Sequence, residues 1–230
     1  MLETERHALT HRQIPTVAVL DSADQIAGFQ GFSLVKAPPD PSGHGVAVGL
    51  SVLAEGPIAL LPVRVLDDRA ALAGEGVLLE ALERLAEVPG LVICCAFATG
   101  HSARTDFAWR DSAVRSRVAA LREAGTPVVA AAGNHYALRY RAGMGWPAIL
   151  REVVSVGALK EGQMHPSSNR LLNGPDGCAT TLFAEEAPPG CTSGAAARVA
   201  ARLALARAAS PEARISAWIE TIRGSLSSRR

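Results

Sequence analysis

Four side chains scattered along the chain have the types that acyl chemistry needs. Asp21 ends the apolar run "TVAVLD", His44 stands at the head of "HGVAVGLSVLA", Asn134 closes "PVVAAAGN", and Ser193 lies in "GCTSGAAARVAARLALA". A serine hydroxyl is a weak nucleophile at neutral pH and needs a base within hydrogen-bond reach, and imidazole, with an ordinary pKa of about 6.5, is the side chain suited to that task. Taken alone, Ser193 has a simpler reading as a helix cap, its oxygen accepting from one of the unpaired N–H groups at the start of an alanine-rich helix. The elements that carry the four residues decide whether they meet.

Near-continuous apolar segments recur at 16–21, 58–67, 91–97, 127–134 and 152–159. Strands buried on both faces read this way, without the polar alternation of a half-exposed sheet, and this predicts a parallel sheet. Helical spacing fills the intervals at 46–54, 76–87 and 111–124. "LLEALERLAEV" repeats leucine at Leu78, Leu82 and Leu85, and the third helix stops at Gly125 before Pro127. Helices over 193–208 and 211–226 follow, and the segment 160–189, rich in Gly, Pro, Ser and Asn, reads as irregular and as a place for binding. Alternation of strand and helix predicts an α/β fold of three layers, a mainly parallel twisted sheet with helices on both faces. Ligands of such sheets collect at the carboxyl ends of the strands. Asp21 and Asn134 end strands while His44 and Ser193 open helices, so acid, imidazole, amide and hydroxyl are expected on one rim.

No repeat, low-complexity tract or linker divides the 230 residues, so a single domain over 1–230 is expected, with an N-terminal extension over 1–14 and a C-terminal helix and basic tail over 211–230. With 23 basic against 22 acidic residues there is no field to hold nucleic acid or an anionic membrane, and aromatics at 4% leave few stacking platforms for single strands. No apolar run spans a bilayer, and the charged N-terminus does not read as a secretory signal. Cys94, Cys95, Cys178 and Cys191 show no zinc-type spacing and read as free thiols in a reducing compartment, which predicts a cytoplasmic protein. His7 and His11 share a helical spacing, but no third ligand stands near them, and a solvated face is the preferred reading over a metal site. No metal and no cofactor are expected.

The same residues carry a family resemblance. Asp21 lies in a form of the Asp-Thr/Ser-Gly block of the subtilisin-like serine peptidases, or subtilases, and "HGVAVGL" from His44 is similar to their histidine block. "AAGN" to Asn134 resembles the oxyanion block, "WPAILREVVSVGA" from Trp146 the segment after it, and "CTSGAAARVA" from Cys191 the serine block. The order Asp, His, Ser is that of subtilisin; an α/β-hydrolase would carry its serine in Gly-x-Ser-x-Gly with acid and histidine following.

The resemblance implies a serine endopeptidase acting through an acyl-enzyme on Ser193. His44 would be the general base and acid, Asp21 would hold the imidazole, and the Asn134 amide with the Ser193 N–H would form the oxyanion hole. It further implies a peptide substrate laid as a strand beside Ala96, Phe97 and Ala98, with its P1 side chain passing Ala131, Ala132 and Gly133. Processing of a specific protein or peptide suits a compact intracellular form in which about twenty residues precede Asp21, too few for a folding propeptide. Calcium sites are not expected, because Asp67, Asp68, Asp106 and Asp111 lack oxygen-rich loops. Ala23, Ala47, Cys191, Gly194 and Ala197 depart from the family blocks. A catalytically inactive peptide-binding or regulatory module is therefore the alternative, and a transpeptidase or macrocyclase a further one.

Overall fold

In the computed structural model, which describes residues 14–38, 40–99, 102–139 and 142–227, a mainly parallel sheet carries helices on both faces. Its strands are β1 (Thr16–Asp21), β4 (Phe32–Ser33), β5 (Ala59–Arg64), β6 (Leu91–Cys95), β7 (Val128–Ala131), β8 (Val154–Lys160), β9 (Gln163–Met164) and β10 (Leu182–Glu185). β2 (Gln25–Ile26) and β3 (Phe29–Gln30) form a separate small hairpin. The order across the main sheet is β10-β8-β7-β6-β1-β5-β4, and β9 alone runs antiparallel, against β8. β1 lies between β5 and β6, so the chain reverses its direction of travel across the sheet at β1, opening a crevice at the carboxyl ends there.

The continuous apolar runs follow from burial on both faces. Val17 and Val19 enter one core with Val92, Cys94 and Val129, whereas Ala18 and Leu20 enter the other with Ile93, Cys95 and Ala130. The first core is covered by α1 (His44–Leu53), α5 (Cys191–Ala209) and α6 (Ile215–Ser227), the second by α2 (Glu75–Ala86) and α3 (Ala113–Glu123); α4 (Tyr136–Arg139) is one turn beyond β7. The alanines of α5 have a packing reason. Ala195, Ala196, Ala197, Ala200 and Ala201 are fully buried, and small side chains let this long helix lie close to the sheet.

The sequence-based boundaries are corrected in several places. The region 160–189 is not irregular throughout, because β10 adds a parallel edge strand beside β8. β7 ends at Ala131, so Asn134 follows the strand rather than closing it. The last helix begins at Ile215 rather than at residue 211. Asp106 faces Arg151 and Arg115 in a structural ion pair. The His7–His11 reading and most of the N-terminal extension lie outside the described residues. Among the described residues no cluster of His, Cys, Asp and Glu is arranged to hold a metal, no helix is long and apolar enough to cross a membrane, and all four cysteines are free.

Candidate active site

Asp21 is the last residue of β1 and is completely buried. Its Oδ1 accepts from the Ser22 N–H at 2.8 Å and from His44 Nδ1 at 2.8 Å. Pairing with a carboxylate assigns the proton to Nδ1 and leaves the Nε2 lone pair for a substrate or nucleophile. Burial draws the His44 pKa down, but the hydrogen bond and charge of Asp21, with the charge of Asp40, outweigh it and hold the imidazole above its ordinary value. α1 reaches this position because Gly43, in the left-handed region at φ 66°, turns the chain into the helix, and Gly45 lets it approach β1. A Cβ on Gly45 would stand 2.7 Å from the Ala23 nitrogen.

Ser193 is the third residue of α5, not its cap. Gly190 occupies the N-cap and offers no side chain, and the Ser193 hydroxyl donates to the Ala96 carbonyl at 2.9 Å instead. The cap reading therefore fails. Its backbone N–H belongs to the first turn, where no helical acceptor exists, and points with the helix dipole toward the crevice end. Ser193 Oγ is bonded to Ala96 and not to His44 in this resting arrangement.

Asn134 is anchored by its oxygen. Oδ1 accepts from the Thr192 N–H at 3.2 Å and from Thr192 Oγ1 at 2.6 Å, and Thr192 Oγ1 itself accepts from the Gly133 N–H at 3.2 Å. With Oδ1 so engaged, Nδ2 is the end of the amide left to donate to a ligand. Thr192 is fully buried, so the residue directly before the serine fixes the amide.

His44, Asn134 and Ser193 line one cavity of about 140 Å³. Of the six substrate positions expected from the sequence, Ala96, Phe97, Ala98, Ala131 and Gly133 also line it. Ala132 does not; alternation along the strand turns its side chain into the core beneath α2 and α3. Leu66, Ala70, His135 and Thr192 complete the walls and were not foreseen. Thr192 and His135 adjoin residues that were singled out, whereas Leu66 and Ala70 come from the segment after β5, whose return to the site only the fold reveals. The arrangement gathers groups of the types that acyl transfer uses: a hydroxyl, an imidazole oriented by a buried carboxylate, a backbone N–H at a helix start and a side-chain amide.

No protein-family model matches the chain, and no curated protein sequence matches it. Solved structures do. Sphericase aligns over 91% of this chain and 82% of its own at 20% identity, with a TM-score of 0.69. A serine-to-alanine mutant of the protease domain of PatA aligns over 84% of this chain and 79% of that one at 22% identity, with a TM-score of 0.64. The scaffold that presents the Asp21–His44 pair at its switch point thus has a subtilase-like fold.

Proposed function

We propose that the protein is a subtilase-type serine endopeptidase that processes a specific protein or peptide, a hydrolase working through Asp21, His44 and Ser193 with Asn134 as oxyanion donor. The observation that carries this reading is the buried Asp21–His44 pair, at 2.8 Å, opening onto the cavity shared with Ser193 and Asn134. Rotation of the Ser193 side chain away from the Ala96 carbonyl brings Oγ toward His44. Oγ then attacks the scissile carbonyl while Nε2 takes its proton. The oxygen that becomes negative is met by Asn134 Nδ2 and the Ser193 N–H, and the imidazolium is stabilised by Asp21 and returns the proton to the leaving amine. Water repeats the sequence on the acyl-enzyme and frees Ser193.

A bound peptide strand would run beside Ala96, Phe97 and Ala98, and its backbone N–H groups would compete with the Ser193 hydroxyl for the Ala96 carbonyl. Binding would then release the nucleophile from its resting partner. The free thiols of Cys94, Cys95, Cys178 and Cys191 support a reducing setting, the cytoplasm.

A fluorophosphonate probe tests the reading. Wild type is expected to be labelled at Ser193, and Ser193→Ala and His44→Ala are expected to lose the label while keeping the wild-type circular dichroism. Folded wild type that takes no label overturns it. The Ser193–Ala96 hydrogen bond favours one second reading, a module that captures peptides without cutting them. It predicts peptide affinity unchanged by Ser193→Ala and no product from wild type. Ligated or cyclic product instead of a free carboxylate would redirect the reading to transpeptidation.

A further inference from the structure

Asp40 stands four residues before His44 and belongs to none of the blocks that carry the resemblance. Its carboxylate gathers three hydrogen bonds. Oδ2 accepts from Ser22 Oγ at 2.7 Å and from Ser42 Oγ at 2.6 Å, and Oδ1 accepts from the Ser42 N–H at 2.8 Å. Each serine then passes the connection on. Ser22 Oγ accepts from the Gly45 N–H at 3.0 Å, and Ser42 Oγ accepts from the His44 N–H at 3.3 Å. Ser22 also donates its N–H to Asp21, so a continuous polar path joins Asp40 to both members of the Asp21–His44 pair.

We propose that Asp40 is a positioning residue of the candidate site: it clamps the start of α1 to the end of β1 and places a second negative charge at that helix start, one hydroxyl away from the His44 N–H. The proposal rests on the reading of His44 as the general base. Three features make the clamp necessary rather than incidental. α1 has no acidic residue in its first turn, and its N-cap is Gly43, so the side chains that anchor the helix start are the Ser22 and Ser42 hydroxyls, both of which donate to Asp40. A hydroxyl carries one proton, and only an acceptor on the Asp40 side leaves the Ser22 oxygen lone pairs aimed at the Gly45 N–H. Gly45 packs against the backbone of Ser22 and Ala23 with no room for a Cβ, so this seam is where a small shift of α1 would move His44 relative to Asp21.

The charge acts together with the geometry. Among the described residues, the titratable groups that face His44 are Asp21 from β1, Asp40 from the segment before α1, and His135 across the cavity. Burial would raise the Asp40 pKa, but the hydrogen bonds from Ser42 and Ser22 outweigh it, so Asp40 stays ionised wherever His44 titrates. Both carboxylates favour the imidazolium, the form that His44 takes when it accepts the serine proton.

The test is a His44 titration by NMR in the full chain, in a Ser193→Ala background so that nothing is cleaved, with Asp40→Asn, Asp40→Ala and Asp40→Glu compared. The midpoint is expected to fall in the Asn and Ala variants and to return most of the way in Glu. In chains with Ser193 intact, the acid limb of kcat/KM is expected to move to lower pH in Asp40→Asn, and kcat to fall by about tenfold or more in Asp40→Ala through misalignment of α1. A His44 midpoint unmoved in both Asn and Ala overturns the proposal, since a purely structural role would leave it in place. Asp40→Asn keeps one acceptor oxygen and carries the test if Asp40→Ala fails to fold. Absence of turnover in wild type would sink the peptidase reading alone, and the titration would still decide the clamp.

Discussion

In the proposed mechanism Asn134 would do two jobs at opposite ends of one amide, and substitutions can separate them. Its Oδ1 holds the N–H and hydroxyl of the fully buried Thr192, while its Nδ2 would serve the proposed oxyanion. Asn134→Ala removes both. Leaving the Thr192 groups without an acceptor costs about 1–3 kcal/mol of stability, and losing one oxyanion donor costs about a hundred- to a thousandfold in kcat, or about 2.7–4 kcal/mol of transition-state binding. Asn134→Asp keeps an acceptor for Thr192 but sets a carboxylate where negative charge develops. Its stability is expected to stay close to wild type while its kcat falls at least as far as that of the alanine variant. KM is expected to change little in either, because the contact matters mainly in the transition state. The assays are urea denaturation and steady-state cleavage of a reporter peptide. The reasoning is refuted if Asn134→Asp keeps wild-type turnover, or if the loss of rate in both variants simply tracks the loss of stability.

Two further perturbations probe the scaffold. Gly194→Ala would set a Cβ 1.7 Å from the Ala187 carbonyl oxygen, so the start of α5 must move; urea denaturation is expected to show a loss of about 1–3 kcal/mol or more, with weaker probe labelling of Ser193. Glu55 receives Arg198 Nε and Arg202 Nε at 2.8 Å each, tying α5 to the turn after α1, and Glu55→Gln is expected to cost about 3 kcal/mol by leaving two half-buried guanidinium groups short of an anion. Burial raises the Glu55 pKa, but the two arginines outweigh it and hold it below 4.5. Its contribution is therefore complete above the unfolded carboxylate range and is lost as the pH falls through the lowered native value. A Glu55→Gln variant that differs from wild type equally at neutral and at strongly acid pH would contradict that linkage.

What the sequence makes legible follows the strength of its patterns. β1 is read at its true limits, because burial from Val17 onward leaves an unbroken apolar run over Val17 to Leu20 and Asp21 ends it. β10 escapes detection for the opposite reason: Leu182 and Ala184 are buried, Phe183 and Glu185 less so, and four alternating residues inside a Gly- and Pro-rich stretch look like a loop. The helix starts are hidden by glycine. α1 begins at His44 and α5 at Cys191, each two residues ahead of the patterned stretch, because Gly43 and Gly190 provide caps without side chains. Ala131 and Ala132 show how period-two alternation bears on function, since one faces the cavity and its neighbour the opposite core. The Asp40 clamp is not readable at all in one dimension. Its partner Ser22 is eighteen residues away, and "DPSGH" has the composition of an ordinary turn.

The departures from the family blocks gain a physical meaning once they are placed. None of Ala23, Ala47, Cys191, Gly194 and Ala197 lines the cavity. Gly194 is the residue that the Ala187 carbonyl permits, and Ala197 is buried in the core that α5 shares with the sheet. Ala23 lies against Gly45 at the seam between β1 and α1. Cys191 takes a left-handed conformation, φ 45°, that costs a non-glycine residue strain, and its surroundings offset it: the N–H donates to Glu186 Oε2 at 3.0 Å, and Sγ stands 3.4 Å from His165 Nδ1. Burial pushes that thiol up to about 11, so it remains protonated at neutral pH, beside an Nδ1 that already accepts the Ser167 N–H at 3.1 Å. Where the family pattern has glycine, this chain has a cysteine in the left-handed region whose N–H is held by Glu186. Ala23, Gly194 and Ala197 thus lie where α1 and α5 are seated, while of the four groups of the proposed mechanism three, His44, Asn134 and Ser193, line one cavity.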